Sequence, residues 1–183
     1  MTTFPISLSA NWQHTSQVSG LTATERDWLF EPHSLTAKLK SRSQKFSVKV
    51  LSEQTFDLSV EQQKLLSCTA VSALNREVIL LCDDKPMVYA QSWLPDNKRQ
   101  DKSDNPLLNM GERPLGDVIF QDPQLVRTDI EIACFNSEHS LQQLVSQLNL
   151  SKQNLLGRRS VFSLRDYKFL VCEVFLPGAY LYS

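Results

Sequence analysis

The stretch NREVILLCDDKPMVYAQSWL, residues 75–94, decides the fold because it holds two apolar runs separated by a short polar link. Asn75 to Cys82 and Met87 to Leu94 are rich in residues that favour strands, and Asp83 to Pro86 lies between them. A parallel return would need a crossover of about a dozen residues or more. The short link therefore predicts an antiparallel hairpin.

Further segments on both sides of this hairpin are also typical of strands. Phe46 to Val50 alternates apolar and polar residues, the period-two pattern of a half-buried strand. Val126 to Cys134 predicts another strand. Arg159 to Arg165 and Phe169 to Leu176 predict two more, joined by a tight turn at Asp166 to Lys168. With the central hairpin, this predicts about six strands, joined largely by hairpins.

Local signals between the strands predict helices. Thr22 to Glu25 and Ser59 to Gln62 both have capping-box spacing, and Ser34 can cap a helix that begins at Leu35. Pro114 is suited to the first turn of a further helix. From His139 to Leu150, leucines and a valine recur at the i, i+3, i+4 and i+7 positions of an amphipathic helix.

Together these elements predict an α+β fold with helices grouped on an antiparallel sheet. A chain of 183 residues with 42% hydrophobic residues can bury one core, so we expect one domain over residues 1–183. Residues 1–20 precede the first clear helix signal, and we expect them to be flexible or loosely packed.

The charge balance and the N-terminal sequence exclude several classes of protein. Lys plus Arg number 19 against 20 for Asp plus Glu, so the chain has no basic field for nucleic acid. The N-terminus lacks an export signal, and no segment approaches the roughly 20 apolar residues of a spanning helix. We expect a monomeric cytoplasmic protein with no nucleic-acid partner and no membrane insertion.

Cysteine and histidine are scattered rather than clustered. The four cysteines and three histidines show no spacing typical of a metal site. We therefore expect no metal, and reduced thiols that behave as small hydrophobic residues.

Two charged residues stand in strands where apolar residues are expected. Arg76 begins the face that continues with Val78 and Leu80, so it marks either the rim of the sheet or an anion site. Glu173 lies within the apolar run Phe169 to Leu176. An unpaired buried carboxylate costs several kcal/mol or more, so Glu173 is either in a structural ion pair or in contact with a ligand.

Two other segments are weaker candidates. Arg158 and Arg159 are adjacent, so in a strand they point to opposite faces and at most one faces inward. They form either a surface pair or an anion contact. Met110 to Gly116 combines glycines, a proline and a helix start, which indicates either a plain turn or backbone N–H groups presented to an anion.

At these residues the sequence resembles the chorismate pyruvate-lyase family, in order from about Asp27 to Tyr182. The matching segments are Asp27–Leu29, Ser34–Thr36, Arg76–Cys82, Pro114–Gly116 with Phe120, Ile130–Ile132, Gly157–Ser160 and Glu173–Pro177.

The resemblance implies an activity and a set of site residues. The family converts chorismate to 4-hydroxybenzoate and pyruvate, the first committed step toward ubiquinone, without a cofactor. By resemblance, Arg76 and the Leu115 N–H bind the ring carboxylate of the substrate, and Glu173 meets its ring hydroxyl. Leu35 lines the pocket, and Arg158 or Arg159 is a candidate for a second carboxylate contact. Arg76 and Glu173 are the implied catalytic residues.

The resemblance also implies a buried ligand pocket enclosed by helical flaps. One departure is the segment from Ala133 to Asn154, longer than in relatives, whose extra helix covers either the pocket or the sheet. A competing interpretation is a non-catalytic sensor, because effector domains of some transcription regulators have a similar fold.

Overall fold

A computed structural model describes residues 2–96 and 105–183, which form one antiparallel sheet covered by helices. The strands are β1 (Gln13–His14), β2 (Phe46–Asp57), β3 (Ser72–Cys82), β4 (Lys85–Pro95), β5 (Leu125–Arg127), β6 (Glu131–Phe135), β7 (Leu155–Leu164) and β8 (Tyr167–Phe175). The α-helices are α1 (Ala23–Leu29), α2 (Leu35–Ser41), α3 (Val60–Leu66), α4 (Leu115–Ile119) and α5 (Leu141–Gln147).

The strand order is β1-β6-β7-β8-β4-β3-β2, and β5 pairs with β7 beside this path. All of these pairings are antiparallel. The α+β class and the antiparallel sheet are therefore confirmed, with eight strands in the described residues where the sequence predicted about six.

The central hairpin forms with a shorter turn than predicted. Lys85 and Pro86 belong to β4, which leaves Asp83 and Asp84 as the turn, with φ angles of 50° and 61°. Positive φ at both positions is the geometry of the tight hairpin turn whose twist matches that of the strands. Aspartate tolerates this region better than most residues.

Two differences account for the additional strands. The tiny strand β1 pairs with β6, and the predicted strand Val126–Cys134 is divided into β5 and β6. The division occurs at Thr128, whose hydroxyl accepts the Val161 N–H at 3.0 Å and donates to the Val161 carbonyl at 3.0 Å. The Thr128 N–H still donates to the Val161 carbonyl at 2.9 Å, but the Val161 N–H is taken by the Thr128 side chain instead of by a backbone carbonyl.

Strand β2 continues to Asp57, beyond the predicted Val50. It is an edge strand, so its polar residues can face solvent without leaving the sheet. The segment Pro95 to Asn105 is polar and charged, which predicts a surface loop, and most of it lies outside the described residues.

The helix starts follow the local signals. The capping boxes at Thr22 and Glu25 and at Ser59 and Gln62 are both formed, and the Ser34 hydroxyl accepts the Ala37 N–H at 3.2 Å. These contacts satisfy N–H groups that have no acceptor within the helix.

The two faces of the sheet pack against different elements because strand residues alternate in direction. On one face, Val78 and Leu80 of β3 pack with Trp28 of α1 and Leu35 of α2. On the other face, residues from the N-terminal segment, the sheet and α5 share a second cluster, which includes Ile6, Ile79, Tyr89, Leu141 and Val145.

The N-terminal segment lies against this second face, in place of the expected loose packing. Ile6 is 4% exposed, and its N–H donates to the Glu77 carboxylate at 3.2 Å. Trp12 packs edge-on against Phe135. The added helix of residues 133–154 is α5, and it covers the same face of the sheet. In the part of the chain that the structure describes, no helix is long and apolar enough to cross a membrane.

Candidate functional site

A partly enclosed cavity lies between the first face of the sheet and the helices α2 and α4. Its walls are mostly apolar, with side chains from β3, β4, β7 and β8 on one side and from α2 and α4 on the other. Five residues that the sequence predicted for the site line it: Leu35, Arg76, Leu115, Arg158 and Glu173.

Arg76 projects from β3 and is only 2% exposed. Its Nη2 donates to the Gly111 carbonyl at 2.7 Å and to the Arg113 carbonyl at 3.3 Å. Its Nε lies 3.2 Å from Glu53 Oε2, although the two groups are not aligned as a hydrogen bond. Burial lowers the pKa of Arg76, and the charge of Glu53 opposes that shift. A buried guanidinium at an apolar cavity is suited to an anion.

Leu115 is the first residue of α4 and follows Pro114, which occupies the N-cap position. A backbone N–H in the first turn of a helix has no acceptor within that helix, so it can serve a ligand. The next residue, Gly116, lies so close to α2 that a Cβ atom there would be 2.8 Å from Thr36 Oγ1. This close approach brings Leu115 and Leu35 to the same wall of the cavity.

Glu173 and Arg158 lie directly opposite each other on β8 and β7. Arg158 Nε is 2.7 Å from Glu173 Oε2, and the side chains are 1% and 16% exposed. Arg158 Nη1 also donates to the carbonyls of Trp28, Leu29 and Glu31 at 3.5, 3.4 and 2.8 Å. Of the two alternatives for Glu173, the ion pair is present, and the same carboxylate lines the cavity.

Arg159 lies on the opposite face of the sheet from Arg158. Its Nε is 2.7 Å from Glu131 Oε2, and its guanidinium carbon lies 4.7 Å from the ring centre of Trp12. It lines a separate depression that includes Pro5 and Trp93. The alternation of side chains along β7 thus separates the two candidates, and only Arg158 lines the first cavity.

Arg127 also lines the cavity, and the sequence analysis did not identify it. Its Nε donates to Ser160 Oγ at 3.0 Å, and its Nη1 to the carbonyls of Glu31 and Pro32 at 3.1 and 3.4 Å. Burial, with the charge of neighbouring Arg158, lowers the pKa of Arg127 to about 10. The available signal was an arginine inside a predicted strand, the same anomaly that identified Arg76.

The arrangement favours a small anionic ligand with an apolar body. Among the described residues, three guanidinium groups and one carboxylate line the cavity, and the other lining side chains are neutral. Within residues 2–96 and 105–183, no group of three or more His, Cys, Asp or Glu side chains is placed to hold a metal ion. All four cysteines are free thiols.

Comparisons with known proteins give the same family over nearly the whole chain. A family profile described as chorismate lyase matches residues 6–183. A protein of Pseudoalteromonas translucida named probable chorismate pyruvate-lyase is 74% identical over 182 residues and covers 100% of both chains. A protein of the same name from Idiomarina loihiensis is 37% identical and covers 98% of this chain and 92% of its own.

Solved structures resemble the fold at low sequence identity. The effector domain of PhnF from Mycobacterium smegmatis matches 79% of this chain and 88% of its own, with a TM-score of 0.58 and 13% identity. A transcriptional regulator of the GntR family from Bacillus cereus matches 72% of this chain and 92% of its own, with a TM-score of 0.52 and 13% identity. These likenesses concern the fold alone.

Proposed function

The chain belongs to the chorismate lyase family, and we infer from this that it is an enzyme that cleaves chorismate and releases pyruvate. Its second product is 4-hydroxybenzoate, the ring that remains after the elimination. We propose that this is the first committed step toward ubiquinone in the organism that makes it.

Arg76 and Leu115 bind the ring carboxylate of chorismate in this proposal. The observation that carries it is the burial of the Arg76 guanidinium at the wall of an apolar cavity. There it can form charge-assisted hydrogen bonds with little competition from water. The Leu115 N–H approaches the same carboxylate from α4, which Gly116 holds against α2.

Glu173 meets the ring hydroxyl at the other end of the substrate. It lies on β8, and β4 separates this strand from β3, which carries Arg76. Two strand spacings amount to about 10 Å, so the two side chains can hold opposite ends of one ring. Arg158 balances the charge of Glu173 and fixes its carboxylate through Oε2, while Glu173 Oε1 accepts no hydrogen bond from another described side chain.

The enzyme contributes to this reaction mainly by orienting the substrate and by placing charges around it. The bond between ring carbon C3 and the ether oxygen breaks, C4 loses hydrogen, and the ring becomes aromatic. The enolpyruvyl group gains a hydrogen and leaves as pyruvate. Arg76 and Leu115 orient the ring, Leu35 contacts its apolar side, and Glu173 polarises the hydroxyl at C4.

We further propose that α1, α2 and α4 act as flaps over a ligand pocket, and that one domain works as a cytoplasmic monomer. Helices α1 and α2 pack on the cavity face of the sheet, α4 lines the cavity, and α1 and α2 are joined by a short link at Phe30–Ser34. Such elements open and close on substrate in many enzymes. Gel filtration of the purified chain tests the oligomeric state.

The alternative of a non-catalytic sensor is not favoured. The likeness to effector domains of regulators rests on 13% identity and on the fold, whereas the family profile covers residues 6–183. A ligand-binding fold can serve either purpose, so reaction with chorismate separates the two.

The decisive experiment incubates the purified chain with chorismate and measures both products. Pyruvate and 4-hydroxybenzoate should appear in equal amounts, and dialysis against a metal chelator should leave the rate unchanged. The Arg76→Ala variant serves as the matched control for contaminating activity. Binding of chorismate with no release of pyruvate would support the sensor and contradict the enzyme.

A further inference from the structure

Positive side chains outnumber carboxylates on the described wall of the cavity. Arg76, Arg127 and Arg158 all line it, and Glu173 is the only acidic residue among the described residues that do. Glu53 accompanies Arg76 but does not line the cavity. At the other end, Arg127 and Arg158 therefore share Glu173 within the cavity, while the nearby Glu31 carboxylate, whose charge also acts on Arg127, is paired with Lys38 at 3.1 Å. Guanidinium groups that are removed from water with no full complement of counter-charge favour the binding of a further anion.

Arg127 and Arg158 are held side by side by one shared acceptor. Their Nη1 atoms both donate to the Glu31 carbonyl, at 3.1 and 2.8 Å. Their Nε atoms are occupied by Ser160 and Glu173. Within the described ranges, the Nη2 atom of neither arginine donates to a protein acceptor. The pair thus keeps donors for a carboxylate that lies between them.

This pair and Arg76 are at opposite sides of the cavity. Arg158 lies on β7 and Arg76 on β3, and the strands β8 and β4 separate them. Three strand spacings amount to about 14 Å between their backbones. Since both side chains reach inward, the cavity presents two separate cationic ends across an apolar middle.

We propose that Arg127 and Arg158 together bind the enolpyruvyl carboxylate of chorismate, and that Arg127 makes the site selective for a ligand with two carboxylates. The inference rests on the proposed function and adds to it a binding residue for the leaving group. Arg76 takes the ring carboxylate, which substrate and product share. Arg127 takes the carboxylate that only the substrate carries, so the pair releases its anion when pyruvate leaves.

The geometry also couples this carboxylate to the link between α1 and α2. The carbonyls of Glu31 and Pro32 that receive Arg127 Nη1 belong to that link. A carboxylate bound to the Nη2 atoms holds the two guanidinium groups in the orientation in which their Nη1 atoms donate to these carbonyls. Substrate therefore stabilises this conformation of the link more than product does.

The test compares a ligand that has one carboxylate with a ligand that has two. 4-Hydroxybenzoate carries only the ring carboxylate, whereas 3-(carboxymethoxy)-4-hydroxybenzoate adds a second one on the ether oxygen and cannot react. In the Arg127→Gln variant, calorimetry should show the Kd of the dicarboxylate raised by about 10- to 100-fold. The Kd of 4-hydroxybenzoate should change by less than about threefold, and the KM for chorismate should rise with the dicarboxylate Kd.

Arg165→Gln is the control because it removes the same charge from an exposed turn between β7 and β8. It should leave both dissociation constants unchanged. If Arg127→Gln raises the Kd of both ligands equally, or leaves both Kd values unchanged, Arg127 does not bind the second carboxylate and the inference is overturned. If the Gln variant does not fold, Arg127→Lys gives the same comparison, since lysine keeps the charge but not the two-pronged geometry.

The outcome is separable from the proposed function. Both ligands are stable, so their binding can be measured whether or not the chain turns over chorismate. Failure of the wild-type chain to release pyruvate would contradict the enzyme, while selective loss of dicarboxylate binding in Arg127→Gln would still support the carboxylate site.

Discussion

Arg158 Nε lies 2.7 Å from Glu173 Oε2, between two directly opposed residues of β7 and β8. The neighbouring Arg159 makes an equally short contact of 2.7 Å with Glu131 on the other face of the sheet. One short segment thus carries two ion pairs of the same geometry, of which one lines the cavity and one does not. The Arg159–Glu131 pair can therefore serve as a control when the role of Glu173 in catalysis is separated from its role in stability.

Glu173→Gln should lower turnover by on the order of 100-fold while the protein stays folded, because the charge that polarises the substrate hydroxyl is lost. Glutamine still offers an oxygen to Arg158, so the free energy of unfolding should fall by only about 1–2 kcal/mol. Steady-state kinetics and urea unfolding measure the two effects.

The control for this prediction is Glu131→Gln, which breaks the matched pair with Arg159. It should lower the free energy of unfolding by a similar amount and leave turnover unchanged. If both variants lose stability and neither loses turnover, Glu173 has only a structural role.

Arg76→Ala should lower kcat/KM. The loss should correspond to about 2–4 kcal/mol of transition-state stabilisation, because the contact to the ring carboxylate is charge-assisted. The substitution should also weaken the binding of 4-hydroxybenzoate, because this product keeps the ring carboxylate. Arg76→Lys should recover little, since lysine cannot reproduce the two-pronged contact. Kinetics and calorimetry on both variants make the measurement.

Glu53→Gln tests whether the loss at Arg76 is due to the guanidinium itself. Glu53 touches Arg76 Nε at 3.2 Å and is one-third exposed, so its removal should leave kcat/KM nearly unchanged. Near-normal turnover of Arg76→Ala would remove Arg76 from the site.

Gly116→Ala should disturb the contact between α2 and α4. The new Cβ would lie 2.8 Å from Thr36 Oγ1 and 2.9 Å from Ser34 Oγ, so these side chains or one of the helices must shift. We expect a loss of about 1–3 kcal/mol in stability and a higher KM, because Leu115 and Leu35 would no longer share one wall. Thermal unfolding and kinetics measure these effects.

Asp117→Ala is the matched control in the same helix. It removes the surface ion pair with Lys40, at 2.6 Å, without adding any atom to the interface. Its effect on stability should be at most about 1 kcal/mol, and the KM should not change. Equal KM values for Gly116→Ala and the wild type would show that the close approach does not position the site.

Glu77 should make the stability of the protein depend on pH. The residue is fully buried, accepts the Tyr89 hydroxyl at 2.5 Å and receives the Ile6 N–H. Burial raises the pKa of Glu77 above its ordinary value of 4.5, despite these lowering contacts. Between that value and the raised pKa, the folded protein binds more protons than the unfolded chain. The free energy of unfolding therefore falls as pH rises through this interval.

The comparison that isolates this effect is Glu77→Gln, studied by urea unfolding from pH 4.5 to pH 8. Glutamine keeps an acceptor but does not titrate. The free energy of unfolding of the wild type, minus that of the variant, should be largest at the acid end of the range. This difference should become smaller as the pH rises. A difference that is constant across the range would contradict the prediction.

The elements that the sequence predicted well are those fixed by neighbours along the chain. The capping boxes at Thr22 and Ser59 form because their partners are three residues away. The central hairpin forms because two aspartates can adopt the positive φ angles of its turn. Arg76 and Glu173 were identified as anomalies because an apolar pattern surrounds each of them in the sequence.

Contacts between distant segments decided the rest. The sequence left Arg158 and Arg159 equivalent, and only the register of β7 against β8 brings Arg158 to Glu173. For Arg127 it offered only an arginine inside a predicted strand, because the position of this side chain depends on the break at Thr128 and on carbonyls about 95 residues away.

The sequence by itself therefore determined the fold class, the family and the strands that carry the charged residues. The spacing of apolar residues and the local hydrogen bonds of caps and turns depend only on residues that are close in the sequence. The tertiary structure decided which of those charges face one cavity and which face α5 and the N-terminal segment. That choice depends on strand register and on packing across the sheet, since shifting a strand by one residue exchanges its two faces.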